Sequence, residues 1–283
     1  MRFDWGAKTY VMGIINVTPD SFSGDGVIQD GHLYIERAVE QGKRMEAEGA
    51  DILDIGGEST RPGSTPVALE EEMARVIPVI ERLAKEVKIP LSIDTYKAEV
   101  ARRAIEAGAS LINDVWGGRM EPDILKVAAE KDVPIILMHN RSQPKDAAQE
   151  EKLGGRYVGV EYENLIADIQ KELQQLIDSA LLAGVRKEHI IVDPGIGFGK
   201  TVAQNLEIVR RLGELTSLGY PILVGPSRKS FVGYTLDVPP EERLEGTLAA
   251  VTLCIEKGAD IVRVHDVKET NRARRFTDAV VRD

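Results

Sequence analysis

The chain has 283 residues, of which 43% are apolar, 29% charged and 5% aromatic, ordinary globular proportions that support a sizeable core and exclude extended disorder. Its 36 Lys and Arg stand against 46 Asp and Glu, a formal charge of -10 that argues against a duplex-DNA binder, since phosphate binding needs a basic face. The single cysteine, Cys254, excludes a disulfide framework and a cysteine-rich zinc site, and no run approaches the roughly 18 apolar residues of a membrane span.

The first apolar run, Tyr10–Asn16, reads as a strand. No small-residue cleavage site follows it, so it does not read as a secretion signal, and a cytoplasmic protein is expected. Similar runs follow at Ile52–Gly56, Leu91–Asp94, Leu111–Val115, Pro134–His139, Ile190–Asp193, Pro221–Gly225 and Ile261–His265. They are rich in Ile, Val and Leu with little alternation, the pattern of strands buried on both faces of a parallel sheet. The segments between them have helical spacing. Leu165, Ile166, Ile169, Leu173, Leu176, Ile177 and Leu181 make one apolar stripe, and Leu206, Val209, Leu212 and Leu215 another. The run Leu248–Ile255 holds Cys254, which reads as a buried core thiol.

Glu48-Gly49-Ala50-Asp51, Ala107-Gly108-Ala109-Ser110 and Lys257-Gly258-Ala259-Asp260 each precede an apolar run. Each fits a helix that ends in a left-handed glycine before the next strand. The stretch Arg141–Tyr157 is the least regular and reads as a long loop. Eight strands with intervening helices in one chain of this length predict an α/β fold, a (β/α)8 TIM barrel formed as a single domain over residues 1–283. A doubly wound open sheet is the competing reading; no dinucleotide fingerprint supports it.

In a barrel the active site stands at the C-terminal ends of the strands. There the sequence places Asn16, the segment Gly56–Gly63, Asp94, Asn113 with Asp114, His139, Asp193, the segment Ser227–Ser230, and Arg263 with His265. Polar groups at every strand end are hard to explain as structure, because buried polar groups cost free energy unless paired. Singly, each has a plainer reading: Asp94 as a helix cap, His139 as a satisfied strand-end histidine, His32 and His189 as surface residues.

Gly195–Thr201 resembles a phosphate loop, but Pro194 stands where a Walker motif needs glycine. Its glycines still permit close approach to a flat ligand. No serine sits in a nucleophile elbow, and the histidine spacings fit no zinc pattern. Carboxylates, amides, Lys and Arg remain. They suit a planar heterocycle such as a pterin or a purine, with Asp193 able to pair two N–H groups of an aminopyrimidine. Arg61, Arg263 and His265 suit an anion such as diphosphate, and Asn16 offers an oxygen of the kind magnesium accepts beside phosphates.

These segments, in order, resemble the dihydropteroate synthase family. Met12–Ser23 is similar to its first signature and Asp54–Gly63 to its second. Ser92–Thr95, Asn113–Gly117, Asp193–Phe198, Ser227–Ser230 and Arg263–Asp266 match the later ones. The resemblance implies condensation of 6-hydroxymethyl-7,8-dihydropterin diphosphate with 4-aminobenzoate, in a homodimer that sulfonamides inhibit. It implies that Asp94, Asn113, Asp193 and Lys229 hold the pterin. Asn16, Arg263 and His265 would hold diphosphate, with Mg2+ at Asn16. Thr60, Arg61, Pro62, Phe198 and Ser230 would line the aminobenzoate pocket, with Lys229 beside them. Asp25, Asp94 and Lys229 would serve catalysis, and loops around Ser21–Gly26 and Ser59–Gly63 would close over the site. One departure is Asp25, which stands one place later than the family's usual acidic residue. Another is Pro226, which removes a backbone N–H before Ser227.

Two other functions compete: a methyltetrahydrofolate–corrinoid methyltransferase domain, and a catalytically silent pterin-binding paralogue.

Overall fold

A computed structural model describes residues 3–18, 31–59, 66–158 and 160–282. The strands are β1 (Tyr10–Asn16), β2 (Ile52–Gly56), β3 (Leu91–Asp94), β4 (Leu111–Asp114), β5 (Ile135–Met138), β6 (Ala147–Ala148), β7 (Arg156–Tyr157), β8 (Ile190–Asp193), β9 (Leu223–Val224) and β10 (Ile261–Val264). Eight of them pair in the order β8-β5-β4-β3-β2-β1-β10-β9. A parallel bridge between Val192 and Ile222 joins the two ends, so the sheet closes into a barrel and the open-sheet reading fails.

The helices are α1 (Gly31–Glu48), α2 (Leu69–Glu86), α3 (Ala98–Ala107), α4 (Asp123–Lys131), α5 (Leu165–Leu182), α6 (Val202–Arg211), α7 (Ser230–Leu236), α8 (Leu244–Glu256) and α9 (Val267–Val281). The outer core lies between them and the barrel.

Local chemistry sets the boundaries. Gly49, Gly108 and Gly258 have φ of 99°, 120° and 96°, as the repeated helix-to-strand turn requires. Asn164 caps α5 by accepting from the Ala167 amide, and Thr201 with Gln204 forms a capping box on α6. The α5 stripe is buried from Leu165 to Ile177, but Leu181 and Leu206 turn outward and are exposed. Cys254 is buried, and burial pushes its thiol up to about 12. The expected loop at Arg141–Tyr157 instead contains the antiparallel pair β6–β7. Among the described residues no helix is long and apolar enough to cross a membrane.

The barrel interior is stacked in layers. Met12, Ile52, Leu111, Ile136, Ile191, Leu223 and Ile261 form an apolar floor, with Phe3, Trp5 and Tyr10 packed beneath. Phe3 and Trp5 stack at 4.4 Å between centroids. Side chains two residues further along a strand point the same way. The next layer up therefore holds Asp54, Asn113, Asp193 and Arg263, with Asp94 and Asn16 above. The change from apolar floor to polar layer locates the site.

Candidate active site

A continuous row of hydrogen bonds crosses the barrel mouth. Asn113 Nδ2 donates to Asp54 Oδ2 at 2.8 Å, and Arg263 Nε donates to the same oxygen at 2.6 Å. Arg263 Nη2 donates to Asp94 Oδ2, also at 2.6 Å. Asp54 has no solvent exposure, and Asn113 is buried beside it. One guanidinium thus serves two carboxylates. Burial pushes the Asp94 carboxyl up to about 7, against the pull of Arg263, and neighbouring Asp54 adds to the rise.

Across the mouth, Asp193 Oδ1 accepts from the Gly195 amide at 2.7 Å. The cap-like role is therefore real, yet it occupies only part of the carboxylate's acceptor capacity. Burial raises the Asp193 pKa, and the Lys229 ammonium pulls it back. Lys229 donates to the Ile196 carbonyl and stands 4.4 Å from the Phe198 ring centroid. Burial lowers the Lys229 pKa to about 8, with Asp193 opposing. Two glycines of the segment read as a false phosphate loop are explained here. At Gly195 a Cβ would sit 1.9 Å from the His139 carbonyl oxygen, and at Gly197 it would strike Lys229 Cδ at 2.7 Å.

His265 stands at the end of β10, where Ser227 Oγ lies 3.0 Å from its Nδ1 and accepts from its backbone amide at 3.1 Å. Asn16 shares a row with Gly56 and Asp94 across β1, β2 and β3. Ser230 opens α7, next to Lys229. The structure thus gathers Asp94, Asn113 and Arg263 in one network, Asp193, Lys229 and Phe198 around a second focus, and Asn16 and His265 on adjoining strand ends. Asp25, Thr60, Arg61 and Pro62 lie outside the described residues, as do the loops expected to close, apart from Ser59. Arg228 pairs with Asp266: Nε–Oδ2 is 2.8 Å and Nη2–Oδ1 2.6 Å.

Two groups escaped sequence reasoning. Asp54 sat inside an apolar strand and read as part of it. Lys200 was set aside with the false phosphate loop, but its ammonium is buried. Its Nζ donates to the Gly195 and Phe198 carbonyls at 3.0 and 2.9 Å, and lies 3.0 Å from His139 Nδ1. Two carbonyl acceptors and one imidazole nitrogen thus surround the ammonium. Burial opposes that charge and draws the Lys200 pKa well below the ordinary lysine value. His139 is buried with Nδ1 on Lys200 and Nε2 3.0 Å from Glu172 Oε2, while His189 is half-buried beside exposed Asp132. Near β2, Lys97 Nζ bridges Glu58 at 2.6 Å and buried Glu72.

Residues 12–265 match the pterin binding enzyme family. The chain is 51% identical to a dihydropteroate synthase of Clostridium beijerinckii over 99% of this chain and 97% of that one. A dihydropteroate synthase from Clostridium difficile, solved in the presence of pteroic acid, superposes with a TM-score of 0.90 at 47% identity, covering 100% of both chains. One from Xanthomonas albilineans, solved with 4-aminobenzoic acid, gives a TM-score of 0.86 at 44% identity over 96% of this chain and 93% of that one. With its closed barrel, its polar mouth and these relatives over nearly its whole length, the chain belongs to the dihydropteroate synthase family of pterin-binding enzymes.

Proposed function

We infer that the chain is a transferase of folate biosynthesis. It condenses 6-hydroxymethyl-7,8-dihydropterin diphosphate with 4-aminobenzoate, giving 7,8-dihydropteroate and diphosphate. One observation carries this reading: Asn113, Asp193, Arg263 and Lys229 meet over an apolar floor, a polar seat for a heterocycle. No observation favours the corrinoid methyltransferase, and the close relatives are synthases.

An aniline nitrogen is a weak nucleophile, so the departing diphosphate needs the help. Its loss leaves positive charge on the exocyclic carbon, delocalised into the dihydropterin ring. Asp193, with one oxygen on Gly195, keeps lone pairs for the 2-amino and ring N–H groups. Lys229 remains largely protonated at neutral pH and donates to the ring's acceptor edge. Asp94 at the rim stabilises the developing cation electrostatically, and Asp25 would do so from its loop. Arg263 uses Nε and Nη2 on the carboxylates and retains further N–H groups for diphosphate, together with His265. Phe198 and Ser230, with Thr60, Arg61 and Pro62, would line the aminobenzoate side.

Among the described residues no cluster of three His, Cys, Asp or Glu side chains could hold a metal. A single neutral oxygen from Asn16 at the end of β1 suits Mg2+ held mainly by substrate phosphates and water. When bound, the ion would neutralise charge on the leaving diphosphate. A homodimer is supported by exposed Leu253, Phe276 and Val280 on α8 and α9, and light scattering tests it. We read residues 1–283 as one cytoplasmic pterin-binding domain. The decisive assay follows formation of dihydropteroate and diphosphate from the two substrates. Product formation abolished by omitting either substrate is the expected result; its absence in folded protein overturns the reading.

A further inference from the structure

The layer beneath the pterin seat contains a carboxylate to which the reading above gives no chemical task. We propose that Asp54 is a positioning residue that fixes which way the Asn113 amide faces, and so the donor and acceptor order presented to the ring. The proposal rests on the mouth being a pterin site.

An amide side chain is nearly symmetric in shape. Rotation by half a turn about its last bond exchanges oxygen and nitrogen at little steric cost, so shape alone leaves Asn113 with two orientations. Asp54 removes that freedom. Its Oδ2 accepts from Asn113 Nδ2 at 2.8 Å and from Arg263 Nε at 2.6 Å. An ionised carboxylate only accepts, so the nitrogen of Asn113 must face it. The reverse orientation would set oxygen against oxygen, with both groups buried. Asn113 is then left with its oxygen and one remaining N–H, in fixed order.

Arg263 locks the arrangement from the other side. It is held between Asp54 on β2 and Asp94 on β3, so Asp54 can turn away from neither partner without exposing a buried charge. Four strands contribute to one row: Asn113 from β4, Asp54 from β2, Arg263 from β10 and Asp94 from β3.

The consequence is directional. The edge of an aminopyrimidine places a ring-nitrogen acceptor beside an exocyclic N–H donor. An acceptor–donor pair in fixed order matches that edge in one sense only. A ring bound the other way over would carry its diphosphate arm away from Arg263 and His265. Asp54 therefore selects the productive ring orientation without touching the ligand.

The test uses Asp54→Asn and the exchange variant Asp54→Asn with Asn113→Asp, in the full chain. For the single variant we expect kcat/KM for the pterin diphosphate to fall about 10- to 100-fold, with KM for 4-aminobenzoate little changed. In the exchange variant the pair hydrogen bond re-forms in reverse, so thermal stability recovers. The acid introduced at position 113 has no N–H to offer, so kcat/KM stays low. A single variant with unchanged kcat/KM overturns the proposal. So does an exchange variant that recovers stability and kcat/KM together, which would mark a purely structural pair, or one that recovers neither. Failure of the underlying reading is separate: the unaltered protein would form no dihydropteroate.

Discussion

Lys200 Nζ lies 3.0 Å from His139 Nδ1, and this contact fastens the loop after β8 to the end of β5. The lysine also holds the carbonyls of Gly195 and Phe198. Through Phe198 it sets the wall against which Lys229 rests. It is a positioning group, placed behind the loop that meets the ligand.

Replacing it by Lys200→Met keeps the volume and removes the donors. The Phe198 carbonyl loses its lysine donor, at about 1–3 kcal/mol, while the Gly195 carbonyl keeps the Phe198 amide. We expect a clearly lowered Tm and a raised KM for 4-aminobenzoate. Calorimetry and steady-state kinetics on the same preparation check both, and an unchanged aminobenzoate KM would separate Lys200 from that pocket.

The same contact sets an acid limit. The other ring nitrogen, Nε2, lies 3.0 Å from Glu172 Oε2. Burial, reinforced by Lys200, lowers the His139 pKa from 6.5 to about 4. Between those values the unfolded chain binds a proton that the native protein refuses. Stability from this group is complete above the ordinary histidine pKa and is lost as pH falls toward about 4, by on the order of 3 kcal/mol. Denaturant titrations across this range should show the loss, and His139→Gln should flatten it.

Lys229 sets the alkaline limit. Its pKa of about 8 means that rising pH removes the ammonium proton from the ring seat. We expect kcat/KM for the pterin diphosphate to decline above about pH 8. In Lys229→Arg, whose guanidinium stays charged, the decline should move to higher pH at a reduced maximum. A pH profile identical in both proteins would assign the limb to another group.

Asp193→Asn separates cap from ligand contact. The amide oxygen still accepts from Gly195, so Tm should shift little. Its NH₂ then faces ring donors, and pterin affinity should fall by about 2–4 kcal/mol, roughly 30- to 1,000-fold. Calorimetric titration with a pterin measures this. A lowered Tm with intact affinity would leave Asp193 as a cap alone.

For magnesium, diphosphate should bind tightly only when the ion is present, and Asn16→Ala should weaken that dependence. Equal affinity with and without the ion would remove Asn16 from the role.

The barrel was legible because double-sided burial leaves long Ile/Val/Leu runs, and because Gly49, Gly108 and Gly258 mark the same turn repeatedly. The site was legible where a polar residue ends such a run, as at Asp94 and Asp193. Asp54 was hidden because it sits mid-strand; only the register, which sets it beside Ser92 in the interior, reveals it. Lys200 was hidden because it turns back on its own loop, at Gly195 and Phe198, to meet His139, 61 residues away in the chain. Leu181 and Leu206 followed the helical period yet face outward, since periodicity gives a stripe but not its width.

Arg263 comes from the last barrel strand, yet its partners lie 209 and 169 residues earlier in the chain, at Asp54 and Asp94. During synthesis the early strands emerge first, with two inward carboxylates and no countercharge between them. That repulsion disfavours a partial barrel, and arrival of the final strand relieves it. The same cation that would receive the substrate's phosphates therefore favours closure of the whole barrel over a shorter assembly.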